Sequence, residues 1–382
     1  MRDYILYINK VREGLLLLLM AVILAACSDD SDTVGGESSI LQLVPYSQEM
    51  AEVSPSMTRA VSLPVGYSPY YGPNSIGVFA ATASEAPDNV RTFSCVNGAW
   101  NSQVSVTNLI TYYIYGYMPV NDNITCTISK LSENDDYSKG AKLNFTNLPP
   151  VMDGDFSVVT GVKQVLSANP TESVNLEAGF FSYEGKPTGS NFVCLMLDHL
   201  YSCVSFKFLV DKDYSKLRTI KLKKVELKTN TQITYPLTIT LRQKPETVPS
   251  GYKPYTIEWG NQTSRPNDYV PLFTSEEGEL LPMINDKTVD GYFAPFQDDI
   301  ANALVLRCTY DVYDKNVTTE HPDGNLVRAN CVAENKLPEN RVIAGGNNQY
   351  NKRTTITLTV NPTYLYVLSE PDLDNPTITI NN

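Results

Sequence analysis

The chain has 382 residues, long enough for two domains that each bury a core of their own. Its formal net charge of -12 repels phosphate backbones and argues against nucleic acid as a partner. With 24 Tyr and 24 Pro against 2 His and 2 Trp, the composition favours strands and turns, and so an all-β fold.

The first segment is apolar from Leu15 to Ala26, after Arg2, Lys10 and Arg12. That is shorter than the roughly 20 apolar residues a membrane-spanning helix needs, and it has the proportions of a signal-peptide apolar region. Leu24-Ala25-Ala26-Cys27 resembles the bacterial lipobox, in which the cysteine is acylated and begins the mature chain. The acidic run Ser28-Asp29-Asp30-Ser31-Asp32 resembles the signal that sends lipoproteins of Bacteroidota to the outer face of the outer membrane, and equally describes a solvated tether.

Beyond this linker, Ile40 to Val44 reads as a short strand, and strand signals then recur without a long helical period. Ile233 to Leu241, Leu304 to Val312 and Ile356 to Val360 alternate apolar and polar residues, as strands with one buried face do. Between Ile220-Leu222 and Val225-Leu227 the phase slips by one, which predicts a bulge at Lys223-Lys224. Pro322-Asp323-Gly324-Asn325 predicts a tight turn. The polar stretch Asp211 to Ser215 is the candidate domain boundary. The expected ranges are a signal peptide over 1–26, an acylated linker with a removable first strand over 27–59, and β-sandwich domains over 60–212 and 213–382.

Besides Cys27 the chain has six cysteines, an even number that in an exported protein invites disulfides. Cys126 and Cys308 nevertheless fall in phase with apolar neighbours, as buried thiols would. No CxxC or HExxH occurs, and no nucleophile elbow or phosphate-binding glycine loop, so no catalytic residue, metal ligand or cofactor site is assigned and no enzyme is expected. Asp153-Gly154-Asp155 reads as a turn, and His199 as a buried histidine with satisfied partners.

Three stretches carry a resemblance. Ser75-Ile76-Gly77-Val78-Phe79, then Asn97-Gly98-Ala99-Trp100, then Tyr112-Tyr113-Ile114-Tyr115-Gly116-Tyr117-Met118-Pro119 resemble the N-terminal domain of Bacteroidales fimbrillins, and Leu197 to Phe206 resembles a later strand of that family. The ending Tyr364 to Asn382 lacks the tryptophan common in many members. The resemblance implies two tandem transthyretin-like β-sandwiches forming a subunit of a type V pilus. It also implies an outer-membrane lipoprotein whose first strand an arginine-specific protease removes, the slot then being filled by a strand of a neighbouring subunit. Thr58-Arg59-Ala60 matches the cleavage position, with Arg59 before the cut and Ala60 after it. The C-terminal residues Ile356, Leu358, Val360, Ile378 and Ile380 are candidates for the donated strand, or else ordinary strands of the second domain. The partners implied are other fimbrial subunits, the protease, the outer membrane through the acyl anchor, and a host or bacterial surface ligand. The alternative is a surface-exposed glycan-binding lipoprotein, whose tyrosines would form an exposed face for sugars.

Overall fold

A computed structural model describes residues 38–52, 67–167, 174–186, 191–229, 233–260, 263–264, 268–281, 287–294, 304–337, 350–364 and 371–380. Among these the structure is all-β, with one 3-10 turn at Tyr214–Lys216 and strands in four sheets, numbered here in chain order.

The largest sheet holds β1 (Ser38–Gln48), β3 (Tyr67–Pro69), β4 (Ile76–Ala81), β5 (Arg91–Val96), β6 (Ala99–Thr107), β7 (Thr111–Met118), β11 (Ser157–Val165), β12 (Ser182–Glu184) and β13 (Phe192–His199). Its order is β11-β13-β1-β6-β5-β4-β7-β12, and β11 also pairs with β7 through Ser157 and Val158, so the sheet curls back on itself. Facing it is a smaller sheet of β8 (Cys126–Ser129), β9 (Gly140–Leu148), β16 (Ile233–Arg242), β17 (Tyr255–Trp259) and β18 (Thr263–Ser264). The two share one apolar core, to which β7 gives Tyr115 and Tyr117, β9 gives Leu143 and Phe145, and β16 gives Leu237 and Ile239. Edge-on contacts Tyr117–Phe145 and Phe145–Phe156, with ring centroids 5.1 and 5.2 Å apart, fill its middle.

A second core lies between two further sheets. One contains β2 (Ala51–Glu52), β10 (Val151–Met152), β14 (Ser202–Val210), β20 (Lys287–Phe293), β23 (Lys352–Tyr364) and β24 (Pro371–Ile380). The other runs β19 (Val270–Leu280), β15 (Thr219–Thr229), β21 (Leu304–Tyr313), β22 (Leu326–Lys336). The alternation read in β21 and β23 is realised: Leu304, Leu306, Cys308, Tyr310 and Val312 face this core, as do Ile356, Leu358 and Val360.

The phase slip in β15 is a bulge. Pairing with both β19 and β21 skips Lys223, which lets Ile220 and Leu222 on one side of it, and Val225 and Leu227 on the other, all point inward. The expected turn lies one residue earlier, over His321 to Gly324: the Gly324 N–H donates to the His321 carbonyl, and Gly324 has a φ of 93°.

After brief visits to the second sheet pair at β2 and β10, the chain passes from the first core to the second at Leu200–Tyr201, between β13 and β14. The polar stretch Asp211 to Ser215 has another task. Asp211 Oδ1 accepts the Asp213 and Tyr214 N–H groups at 2.9 Å, Tyr214 is buried, and the corner carries the chain from β14 across to β15 within the second sandwich. The segment from Ile233 to Trp259 then returns to the first core, where Tyr235 to Arg242 pair antiparallel with Leu148 to Gly140 of β9. All six cysteines beyond Cys27 are free thiols.

Deleting Lys223 would force Ile220 and Leu222 onto the outer face. The expected cost is at least that of losing two buried aliphatic side chains, about 2–5 kcal/mol each. Lys223→Ala, which keeps the register, should cost about 1 kcal/mol, because its ion pair with Asp311 is partly exposed. Urea unfolding of the two variants measures the difference.

Candidate functional site: the N-terminal strand and its slot

β1 is the first described strand, yet it sits inside its sheet with neighbours on both sides. Gln42 to Ser47 pair in parallel with Phe192 to Leu197 of β13. On the other flank, Ser38 to Leu43 pair antiparallel with Thr107 to Trp100 of β6, and Tyr46 to Gln48 with β3. Pro45 has no N–H for a ladder and falls where this second flank changes partner from β6 to β3. Its carbonyl still accepts the Tyr70 N–H at 2.9 Å. Leu41, wholly buried, and Leu43 enter the first core, while Ile40 is 55% exposed. Full burial of a leucine is worth about 1.5–3 kcal/mol, so the strand is held first by its own side chains.

Polar groups fasten both ends. At the start, Asn191 donates through Nδ2 to Ser39 Oγ and to the Lys186 carbonyl (2.8 Å), while its carbonyl accepts the Gln42 N–H at 2.8 Å. Its Oδ1 takes the Lys186 N–H at 2.9 Å and the Tyr183 hydroxyl, so every polar group of this side chain is used. At the far end the His199 Nε2 meets the Gln48 carbonyl, and Nδ1 meets Asp155 Oδ2 at 2.7 Å. Ser157 donates its hydroxyl to the same Asp155 oxygen. Asn351 donates to Gln48 Oε1 at 2.8 Å, which ties this end to the second sandwich. From there β2 continues beside β23, Ala51 and Glu52 pairing in parallel with Lys352 and Arg353.

The His199 ring is buried with an acceptor at each nitrogen, an arrangement that only the doubly protonated imidazolium satisfies. Burial alone would pull its pKa down. The hydrogen bond and charge of Asp155, the Gln48 carbonyl and the charge of Asp198 outweigh this and hold it above the ordinary value of 6.5. Asp198 itself is pushed up by desolvation, although hydroxyls of Tyr67, Thr160 and Tyr255 support its anion.

Of the residues singled out in the sequence, Cys27, Arg59 and Ala60 lie outside the described residues. Ile356, Leu358 and Val360 are buried on β23, between β14 in parallel and, from Leu358 on, β24 antiparallel. Ile378 is buried on β24 opposite Val360, and Ile380 stands opposite Leu358; β24 pairs with β23 alone. His199 is the buried histidine expected, but its partner Asp155 lies 44 residues away and no spacing announces it. Asn191 gave no signal at all. Among the described residues no group of three or more His, Cys, Asp or Glu is placed to hold a metal ion.

No protein-family model and no curated protein matches the chain. Solved structures similar to it include a candidate cell adhesion protein of Bacteroides uniformis, at 11% identity over 90% of this chain and 97% of that one, with a TM-score of 0.35. The fimbrial anchor protein Mfa2 of Porphyromonas gingivalis matches at 11% identity over the same shares, with a TM-score of 0.28. A candidate cell adhesion protein of Bacteroides fragilis matches at 11% identity over 90% and 97%, with a TM-score of 0.37.

Asn191→Ala removes the donor and acceptor that serve Ser39, Lys186 and Tyr183, and should destabilise by about 2 kcal/mol. Ile40→Ala on the same strand should stay within about 0.5 kcal/mol. Denaturant unfolding of each, monitored by tryptophan fluorescence, checks the contrast.

Proposed function

We propose that the protein is a structural subunit or adhesin of a type V pilus, with no catalytic role. It reaches the outer membrane as a lipoprotein acylated on Cys27. There an arginine-specific protease cuts after Arg59, and β1–β2 leaves. A strand from a neighbouring subunit takes its place, and the two β-sandwiches act as tandem domains of one stackable unit.

The observation that carries this reading is the position of β1. A strand at the N-terminal side of the predicted cut is paired on both flanks and supplies Leu41 and Leu43 to the core, so its loss would leave an apolar slot between β13 and β6. Such a slot is what strand addition requires: backbone ladders for affinity and alternate side chains for specificity. For the donor, β24 suits better than β23. Taking β24 away breaks one ladder, whereas β23 is joined to β14, β24 and β2. The donor side chains on this reading are Ile378 and Ile380. The glycan-binding alternative is less well served, because Tyr115, Tyr117, Tyr183 and Trp100 are core residues, although Tyr71 and Tyr350 are exposed.

Digesting purified precursor with an arginine-specific protease should give a ladder of SDS-resistant oligomers. Arg59→Ala, and separately a chain ending at Glu370, should stay monomeric under the same treatment. A cut protein that loses residues 38–59 and remains monomeric at high concentration would overturn the reading for a stalk subunit.

A further inference from the structure

The junction between β1 and β2 is where the N-terminal strand leaves one sandwich for the other, and one titratable side chain holds it. His199 belongs to β13, the strand that β1 lies along, and its two nitrogens reach in different directions. Nδ1 meets Asp155 at 2.7 Å, and Nε2 meets the main-chain carbonyl of Gln48, the last residue of β1. Ser47 Oγ and Ser157 Oγ lie 3.4 and 3.3 Å from Nε2 and Nδ1. Neither carbonyl nor carboxylate can give a proton, so a neutral ring must abandon one of its two acceptors. If it keeps Asp155, Gln48 loses its tie. If it keeps Gln48, Asp155 is left as a buried anion without its cation, and its Oδ1 already has no partner.

We infer that His199 is a proton-operated latch on β1: as an imidazolium it binds the Gln48 carbonyl to Asp155 and keeps the strand end seated, and as a neutral imidazole it frees the junction to open. This rests on the strand-exchange reading above and gives that exchange a regulator, with release of the N-terminal strand favoured as pH rises.

The groups around the ring support this direction. Asp155, ahead of β11, and Asp198, on β13 itself, both favour the cation. Tyr67 of β3 and Tyr255 of β17 face Asp198, and Tyr292 of β20 stands near Asp155. Burial pushes all three phenols up, so they stay neutral through the range in which the ring titrates. With a folded pKa above its unfolded one, His199 contributes stability that is fully present below about pH 6.5 and is lost as pH rises through the folded value. Each unit of that upward shift is worth about tenfold in the opening equilibrium.

Amide hydrogen exchange on the uncut full chain tests the latch without needing cleavage. After correction for intrinsic rates, protection of Gln42 to Gln48 should fall at least severalfold as pH is raised from about 6. Leu306 to Tyr310, in the second core, should show no such step. His199→Gln should give weak β1 protection at every pH, and Asp155→Asn should move the step to lower pH while the ring is kept. Should His199→Gln not fold, the Asp155→Asn shift and an NMR titration of the His199 ring in the natural chain decide the matter. Flat β1 protection, an unmoved step in Asp155→Asn, or a ring titrating below its ordinary value would overturn the latch. A cut chain that keeps residues 38–59 bound at all pH values, with the exchange step intact, would instead sink strand exchange and leave the latch standing.

Discussion

The first sandwich depends on one filled position. Between β13 and β6 the sheet lacks a strand unless β1 supplies it, and β1 is the first described element of the chain. Without it, ladder groups of β13 and β6 would face an empty lane, and the core around Leu41 and Leu43 would open to water. Open edges and apolar surface of that kind pair with whatever strand is offered. The fold is therefore complete only while the slot is occupied, and nothing in backbone pairing demands that the occupant be covalently part of the same chain.

Seating such a strand is a matter of balance. Two buried leucines and ladders on both flanks hold its middle, while Asn191 and His199 hold its ends. The two clamps differ in kind. Asn191 is neutral and fully satisfied at any pH in which the protein folds. His199 is a charged clamp, and its grip follows its protonation. A strand meant to remain for good would be served by two clamps of the first sort. The asymmetry places the adjustable clamp at the end nearer the predicted cut, where a strand would begin to peel.

Much of the fold was legible because strands with one buried face write it as alternation. The inward faces of β21 and β23 and the bulge at Lys223 follow from period two and from its single break. The limits have equally plain causes. The sequence pattern of β1 covers only Ile40 to Val44 because Pro45 and the polar Tyr46-Ser47-Gln48 lack a strand pattern; their strand conformation comes from β13 and β3. A polar break such as Asp211 to Ser215 signals a change of direction, and a corner between two sheets of one sandwich produces the same signal as a boundary between domains. The return of Ile233 to Trp259 to the first core is a long-range pairing with β9, and local pattern carries no information about the partner. Asp155 and His199 meet for the same reason: the pairing of β11 with β13 sets Ser157 opposite His199 and brings in Asp155, two residues ahead of β11.

On the strand-exchange reading, release at one end and donation at the other would each uncover part of one strand in the second sandwich. One side of β23 is covered by β14 from Arg353 to Val360. The opposite side is covered by two neighbours in line, the short β2 at Lys352 and Arg353 and β24 from Leu358 to Tyr364. Loss of the N-terminal segment uncovers the first stretch, and giving away β24 uncovers the second. A subunit that had done both would expose a long, continuous flank of β23 beside an apolar slot in the other sandwich. The slot and the flank lie in different sheets, so a strand accepted into the first leaves the second still to be covered.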